Sequence, residues 1–126
     1  MNNQDNNLQM DKKYNLEERT AKFGEIIIDF CRSLKHTPIS LPVITQLIRS
    51  TTSIGANYME ANGASSKKDF QNKIFICKKE ASETKYWLRM LVRCYPEKRD
   101  EILSFWKEAQ ELTLIFQKIT STLRSK

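Results

Sequence analysis

Apolar residues recur along this chain at alternating intervals of three and four, in four separate stretches. Between positions 16 and 36 the series is Phe23, Ile27, Phe30 and Leu34, and between 41 and 62 it is Ile44, Leu47, Thr51, Ile54 and Tyr58. The longest lies between 66 and 95: Phe70, Ile74, Cys77, Ala81, Thr84, Leu88, Leu91 and Tyr95. The last, from 97 to 124, carries Ile102, Phe105, Ala109, Leu112, Phe116, Ile119 and Leu123. A helix turns once in about 3.6 residues, so each series lies on one face. The 3–4 alternation keeps that face against a nearly parallel neighbour, as in bundles. No stretch carries the period-two pattern of a half-buried strand strongly enough to compete.

The punctuation between the stretches supports the same division. Pro38 breaks the first helix, because its ring disfavours helical backbone at the residue before it. Ser40 is the expected N-cap of the second helix, with Pro42 in its first turn. Asn62-Gly63 suits a left-handed cap. Ser66 followed by Asp69 resembles a capping box, and Pro96 ends the third helix. Links of a few residues force sequential helices to run antiparallel. The expected fold is an all-α, up-down-up-down four-helix bundle over residues 15–126, preceded by a disordered polar tail at 1–14.

One part of the second helix departs from the simple pattern. Residues 49–63, RSTTSIGANYMEANG, are crowded with small and polar side chains. Arg49, Ser53, Asn57 and Glu60 recur at intervals of 4, 4 and 3 and therefore share one flank. The third helix has a matching flank, Ile76, Glu80, Glu83, Trp87 and Met90, apolar at its ends with two carboxylates in its middle. Polar groups in a bundle seam usually satisfy one another, so Glu80 and Glu83 are expected to bond Arg49, Ser53 or Asn57. Small residues such as Ser53, Gly55 and Ala56 would permit close helix approach. A third helix with a core stripe and a second apolar flank is expected to be buried twice, the second time against another subunit.

Catalytic readings fare poorly against this pattern. A histidine-based di-metal bundle needs Glu-x-x-His motifs on two helices, and the chain has a single histidine, His36, at the expected end of the first helix. Glu80 and Glu83 could act as an acid/base pair or hold a hard cation, but structural bonding is the plainer role. Three cysteines, Cys31, Cys77 and Cys94, fall in helices without a C-x-x-C spacing, as expected of reduced thiols in a cytoplasmic protein. No Gly-rich phosphate loop, signal sequence or membrane-length apolar run is present, and no cofactor or metal is expected. The expectation is a soluble, non-enzymatic protein.

Charge adds a direction. The 126 residues carry a formal net charge of +6, unevenly spread. Residues 1–63 hold seven basic and seven acidic side chains, whereas residues 64–95 hold eight and three. The candidate nucleic-acid-binding residues are therefore Lys67, Lys68, Lys78, Lys79, Lys85, Arg89 and Arg93, all on the third helix. A row of cations can track a phosphate backbone through a salt-dependent, sequence-tolerant attraction. A solvated basic face is the competing explanation, and repetition around a symmetric ring would shift the balance toward nucleic acid.

The run from Ile48 to Leu88 resembles the bacterial four-helix-bundle proteins first noticed in intervening sequences of 23S ribosomal RNA genes. The matching residues are Arg49, Ser53, Ile54, Asn57 and Glu60, then Lys68 and Phe70, then Glu80, Ala81, Ser82, Glu83, Thr84 and Leu88. One departure is that the family usually has Gly directly after the Glu, whereas Ala61 and Asn62 intervene before Gly63. That bears on the second helix's cap and not on the fold. The resemblance implies a homo-oligomer, typically a pentameric ring, without established catalytic residues. The family is similar to the accessory variability protein of diversity-generating retroelements, a basic pentamer that binds nucleic acid and a reverse transcriptase. The partners so implied are further copies of the chain, RNA or DNA, and a reverse transcriptase or other protein, with no membrane.

Overall fold

A computed structural model of the chain describes residues 14–124. The described residues form four α-helices and no strand: α1 (Leu16–Ser33), α2 (Ser40–Asn62), α3 (Lys67–Cys94) and α4 (Arg99–Arg124), with a 3-10 turn at Pro96–Lys98 before α4. Residues 1–13 of the expected tail lie outside the described residues, while Tyr14 packs partly against the core.

The apolar stripes become the core. Every member of the α3 series is buried, as are those of α1 and α2, and in α4 only Phe105 is partly open. Sequential helices are antiparallel, as their cross-contacts require. Thr20 meets Gly55, Arg49 meets Glu80 while Glu60 meets Lys73, and Lys85 meets Gln110. α1 and α4 close the bundle through long side chains. Phe30 packs edge-on against Phe105 at 5.0 Å, and Arg19 grips Glu108 with two bonds of 2.8 and 2.6 Å. A paired guanidinium fork of this kind fixes both distance and angle.

The helix ends differ from the sequence expectation in three places. α1 stops at Ser33, not 36, because Leu34 turns extended (ψ 149°), and the Cys31 carbonyl, which accepts from Leu34 N at 3.2 Å, is also bonded by His36 Nε2 at 2.8 Å. Ser40 is not the cap of α2. Thr37 Oγ1 accepts from the Ser40 N–H at 3.0 Å, Ser40 Oγ accepts from the Thr37 N–H at 2.9 Å, and the Thr37 carbonyl accepts from Leu41 N. Thr37 and Ser40 thus make a reciprocal box across the turn that leads into α2, with Pro38 inside that turn where its missing N–H costs nothing. Gly63 caps α2 without left-handed backbone (φ −93°), since Ala64 N bonds Ala61 O in a tight turn. Ser66 does cap α3, its side chain accepting from Asp69 N at 3.0 Å.

Tyr95, at the end of the α3 stripe, ties that end to the α1–α2 loop. Its hydroxyl donates to Lys35 O at 2.7 Å and hydrogen-bonds Ser40 Oγ at 2.8 Å. One core hydroxyl is left over: Thr51 Oγ1 is buried and has no hydrogen-bond partner among the described residues. A buried unsatisfied hydroxyl costs about 1–3 kcal/mol. Thr51→Val, which keeps the shape and removes the hydroxyl, is expected to raise unfolding stability by about 1 kcal/mol. Urea titration would measure it, and a loss of stability would mean that the hydroxyl has a partner in solution.

Candidate functional site

The centre of α2 and the centre of α3 meet at an ionic clamp. Arg49 Nη1 lies 3.0 Å from Glu80 Oε2, and Nη2 lies 2.7 Å from Glu83 Oε1. The guanidinium is steadied from its own helix by Gln46, whose Oε1 accepts from Nε at 3.0 Å. Glu83 also accepts from Trp87 Nε1 at 3.3 Å. Glu80 is 8% exposed, and Glu83 is about one-third exposed on its side chain. Deeper in the same seam Thr84 Oγ1 and Ser50 Oγ sit 2.9 Å apart, each also within reach of a carbonyl of its own helix.

The two carboxylates are driven apart in acidity. Burial pushes Glu80 above the ordinary carboxylate range, reinforced by its bond with Glu83 and opposed by Arg49. Glu83 is held below that range, first by its bond with Glu80 and then by Arg49 and Trp87. Neighbouring like charges that share one cation behave in this way.

Not every residue of the expected seam crosses it. Asn57 Nδ2 donates to Ser53 O at 2.8 Å, back into its own helix, because the carbonyl one turn earlier is the nearest acceptor. Glu60 does cross to α3, but outside the clamp, where it bonds Lys73 at 2.8 Å. Gly55 serves α1, not α3: a Cβ there would stand 3.3 Å from Thr20 Oγ1. The second flank of α3 is also not the free surface expected of it. Glu80 is buried by α2 of the same chain, Trp87 packs partly against the core, Glu83 and Met90 are half-buried, and of the five only Ile76 is exposed.

The cations of α3 divide into two groups. Lys67, Lys68, Lys79, Arg89 and Arg93 are exposed and Lys78 is partly so. Lys85 leaves the row. Its Nζ bonds Gln110 Oε1 at 2.6 Å and stands 5.6 Å from the Trp106 ring, which makes it a link between α3 and α4. Its position on the wheel points it toward α4, a neighbour that a single-helix projection cannot display. A further outward stripe escapes a search for charge alone: Phe75, Lys79, Ser82, Tyr86, Arg89 and Arg93, at intervals of 4, 3, 4, 3 and 4. The same periodicity that marks the core would have found it on the opposite face.

Nucleophilic chemistry has little to draw on. Burial raises the thiol of Cys77 to about 12 and that of Cys31 to about 11, so neither is a ready thiolate. Among the described residues no three His, Cys, Asp or Glu side chains gather as a metal site, and no helix is long and apolar enough to cross a membrane.

The class so defined is an all-α helical bundle with an ionic seam and a third helix that carries a basic outward face. A family model described as 23S rRNA-intervening sequence protein matches residues 12–118, and the chain belongs to that family. It is also similar to the crystal structure of a protein with unknown function, of the S23 ribosomal protein family, from Bacteroides thetaiotaomicron. The two share 33% identity and a TM-score of 0.78 over 87% of this chain and 98% of that one. No curated protein matches.

The clamp makes a pH-dependent prediction. With Arg49 replaced by Met, two neighbouring carboxylates lose their cation, and stability at neutral pH should fall by about 1–2 kcal/mol. The loss is small because the guanidinium is 43% exposed and solvent screens it. In the unaltered protein Glu83, lowered, stabilises the fold above the ordinary Glu value of about 4.3 and loses that contribution as pH falls below it. Glu80, raised, works in the opposite sense, and stability is lost as pH rises through its titration. Without Arg49 the Glu80 effect dominates, so the deficit should shrink between pH 7.5 and pH 5. Equal deficits at both, by chemical denaturation, would contradict the clamp.

Proposed function

We propose that this protein is a non-enzymatic, homo-oligomeric bundle that acts in the cytoplasm as an accessory factor and binds the backbone of RNA or DNA without strong sequence specificity. The observation that carries this reading is the outward row of α3. Lys68, Lys79, Arg89 and Arg93 are exposed along it, while the helix's central carboxylates lie to one side, Glu80 buried and both ion-paired with Arg49. The row therefore faces solvent as net positive charge. A phosphate backbone is the polyanion whose spacing suits such a row. The family resemblance supports assembly as a pentameric ring, in which one row per subunit would add into a strong field. Exposed apolar side chains such as Met59 and Leu114 offer contact area for further copies.

A second reading is a protein-interaction scaffold whose partner, a reverse transcriptase or another protein, docks on the bundle. It is favoured by a cleft of about 320 Å³ between α3 and α4, walled by Leu88, Val92, Ile102, Leu103 and Trp106. A partner retained through nuclease treatment and high salt would select this reading over the first.

Binding of labelled RNA and duplex DNA should weaken steeply with salt, each phosphate contact adding roughly 0.7–0.9 to the log–log slope. The triple variant Lys79→Glu, Arg89→Glu, Arg93→Glu should lower that slope by roughly 2–3 and abolish retention at physiological salt. Unchanged binding would refute the assignment. Light scattering should return a multiple of the 14.8 kDa chain mass, and a monomeric mass would exclude the ring.

A further inference from the structure

The outward stripe of α3 holds more than charge. Phe75, Lys79, Ser82 and Tyr86 repeat at 4, 3 and 4 and line a shallow groove of about 590 Å³ together with Lys78 and Glu83. Tyr86 is 53% exposed, a large aromatic surface left in solvent on a helix whose other face is fully packed. It does not stand alone: the Trp87 ring meets it at 5.0 Å and 80°, edge to face. Trp87 is held in turn by Glu83, and Glu83 by Arg49. The Tyr86 ring is thus braced from behind through a chain of contacts that begins in the seam.

The same chain of contacts settles the electrostatics. Glu83 is the sole carboxylate lining the groove among the described residues, set against two lysines, and it is ion-paired at 2.7 Å with Arg49, a cation it shares with Glu80. Lys78 and Lys79 have no such neutralising neighbour among the groove residues. The result is a cationic groove with an aromatic ring toward each end, Phe75 and Tyr86, about 16 Å apart at ~1.5 Å per residue.

Resting on the nucleic-acid reading above, we infer that this groove is a stacking platform for an unpaired polynucleotide strand, its bases on Tyr86 and Phe75 and its phosphates on Lys78, Lys79, Arg89 and Arg93. A duplex keeps its base faces covered and can use the cations only. An unpaired strand offers every base as a π-face and can use both. Stacking tolerates any base, so the preference is for strandedness and not for sequence.

The test compares a fluorescein-labelled twelve-residue oligouridylate with the same strand annealed to oligoadenylate, by fluorescence anisotropy on the full chain. The single strand is expected to bind at least tenfold tighter than the duplex. Tyr86→Ala should weaken the single strand by roughly tenfold with the duplex and the salt slope unchanged, while Tyr86→Phe should retain strand binding. Circular dichroism checks that each variant remains helical, which an exposed side chain makes undemanding. Equal affinity for strand and duplex, with Tyr86→Ala silent in a salt-dependent interaction, would overturn the platform and leave the polyanion reading standing. A Tyr86→Ala protein that loses oligomeric mass would also overturn it, by marking the stripe as a subunit contact. Failure of the unaltered protein to bind either probe would remove the polyanion reading itself.

Discussion

The guanidinium of Arg49 is the constraint on which the middle of this molecule depends. Two carboxylates sit three residues apart on the most deeply packed helix, one of them almost completely removed from water. A charge in that position is strongly unfavourable unless paired, and Arg49 reaches from the neighbouring helix to pair both. The clamp therefore specifies the register of α2 on α3 as much as it adds to stability. Sliding α2 by one turn would carry the cation about 5.4 Å along the helix axis, out of reach of its partners.

Several features follow outward from that point. The Ser50–Thr84 contact, one residue along from Arg49 and Glu83, lies fully buried, so the seam passes from ionic at its edge to neutral and then apolar at the core. Glu83, once fixed, holds Trp87, and Trp87 backs Tyr86. The internal seam and the outer surface of α3 are two sides of one arrangement. A continuous chain of contacts runs from Arg49 on α2 to Tyr86 on the outward face of α3.

Much of the fold was legible because burial on a helix repeats with the turn. The α3 series from Phe70 to Tyr95 could be read directly, since apolar residues that repeat with the helical turn fix which face is buried. The carboxylates of the seam could be singled out by type and spacing. Their exact partners could not, because Asn57 had a nearer acceptor in its own helix and Gly55 faced the third direction, toward Thr20. The Arg19–Glu108 closure joins residues 89 apart, and neither has a local feature that names the other. Thr37–Pro38–Ile39–Ser40 was readable as a reciprocal cap, but the more familiar Ser cap competed with it. Lys85 was placed in the cationic row by its angle on the helix, and was withdrawn from it by a neighbour in sequence-distant α4.

The sequence by itself determined the helices, their buried faces, the antiparallel order of neighbours and the concentration of positive charge on α3. Each of these depends on periodicity or composition within one segment, which the chain carries locally. Only the tertiary structure decided which polar groups meet: Arg49 with both carboxylates, Arg19 with Glu108, Lys85 with Gln110, Tyr95 with the α1–α2 loop. Hydrogen bonds and ion pairs act over about 3 Å, and that distance is set by how whole helices cross, not by any spacing along one of them.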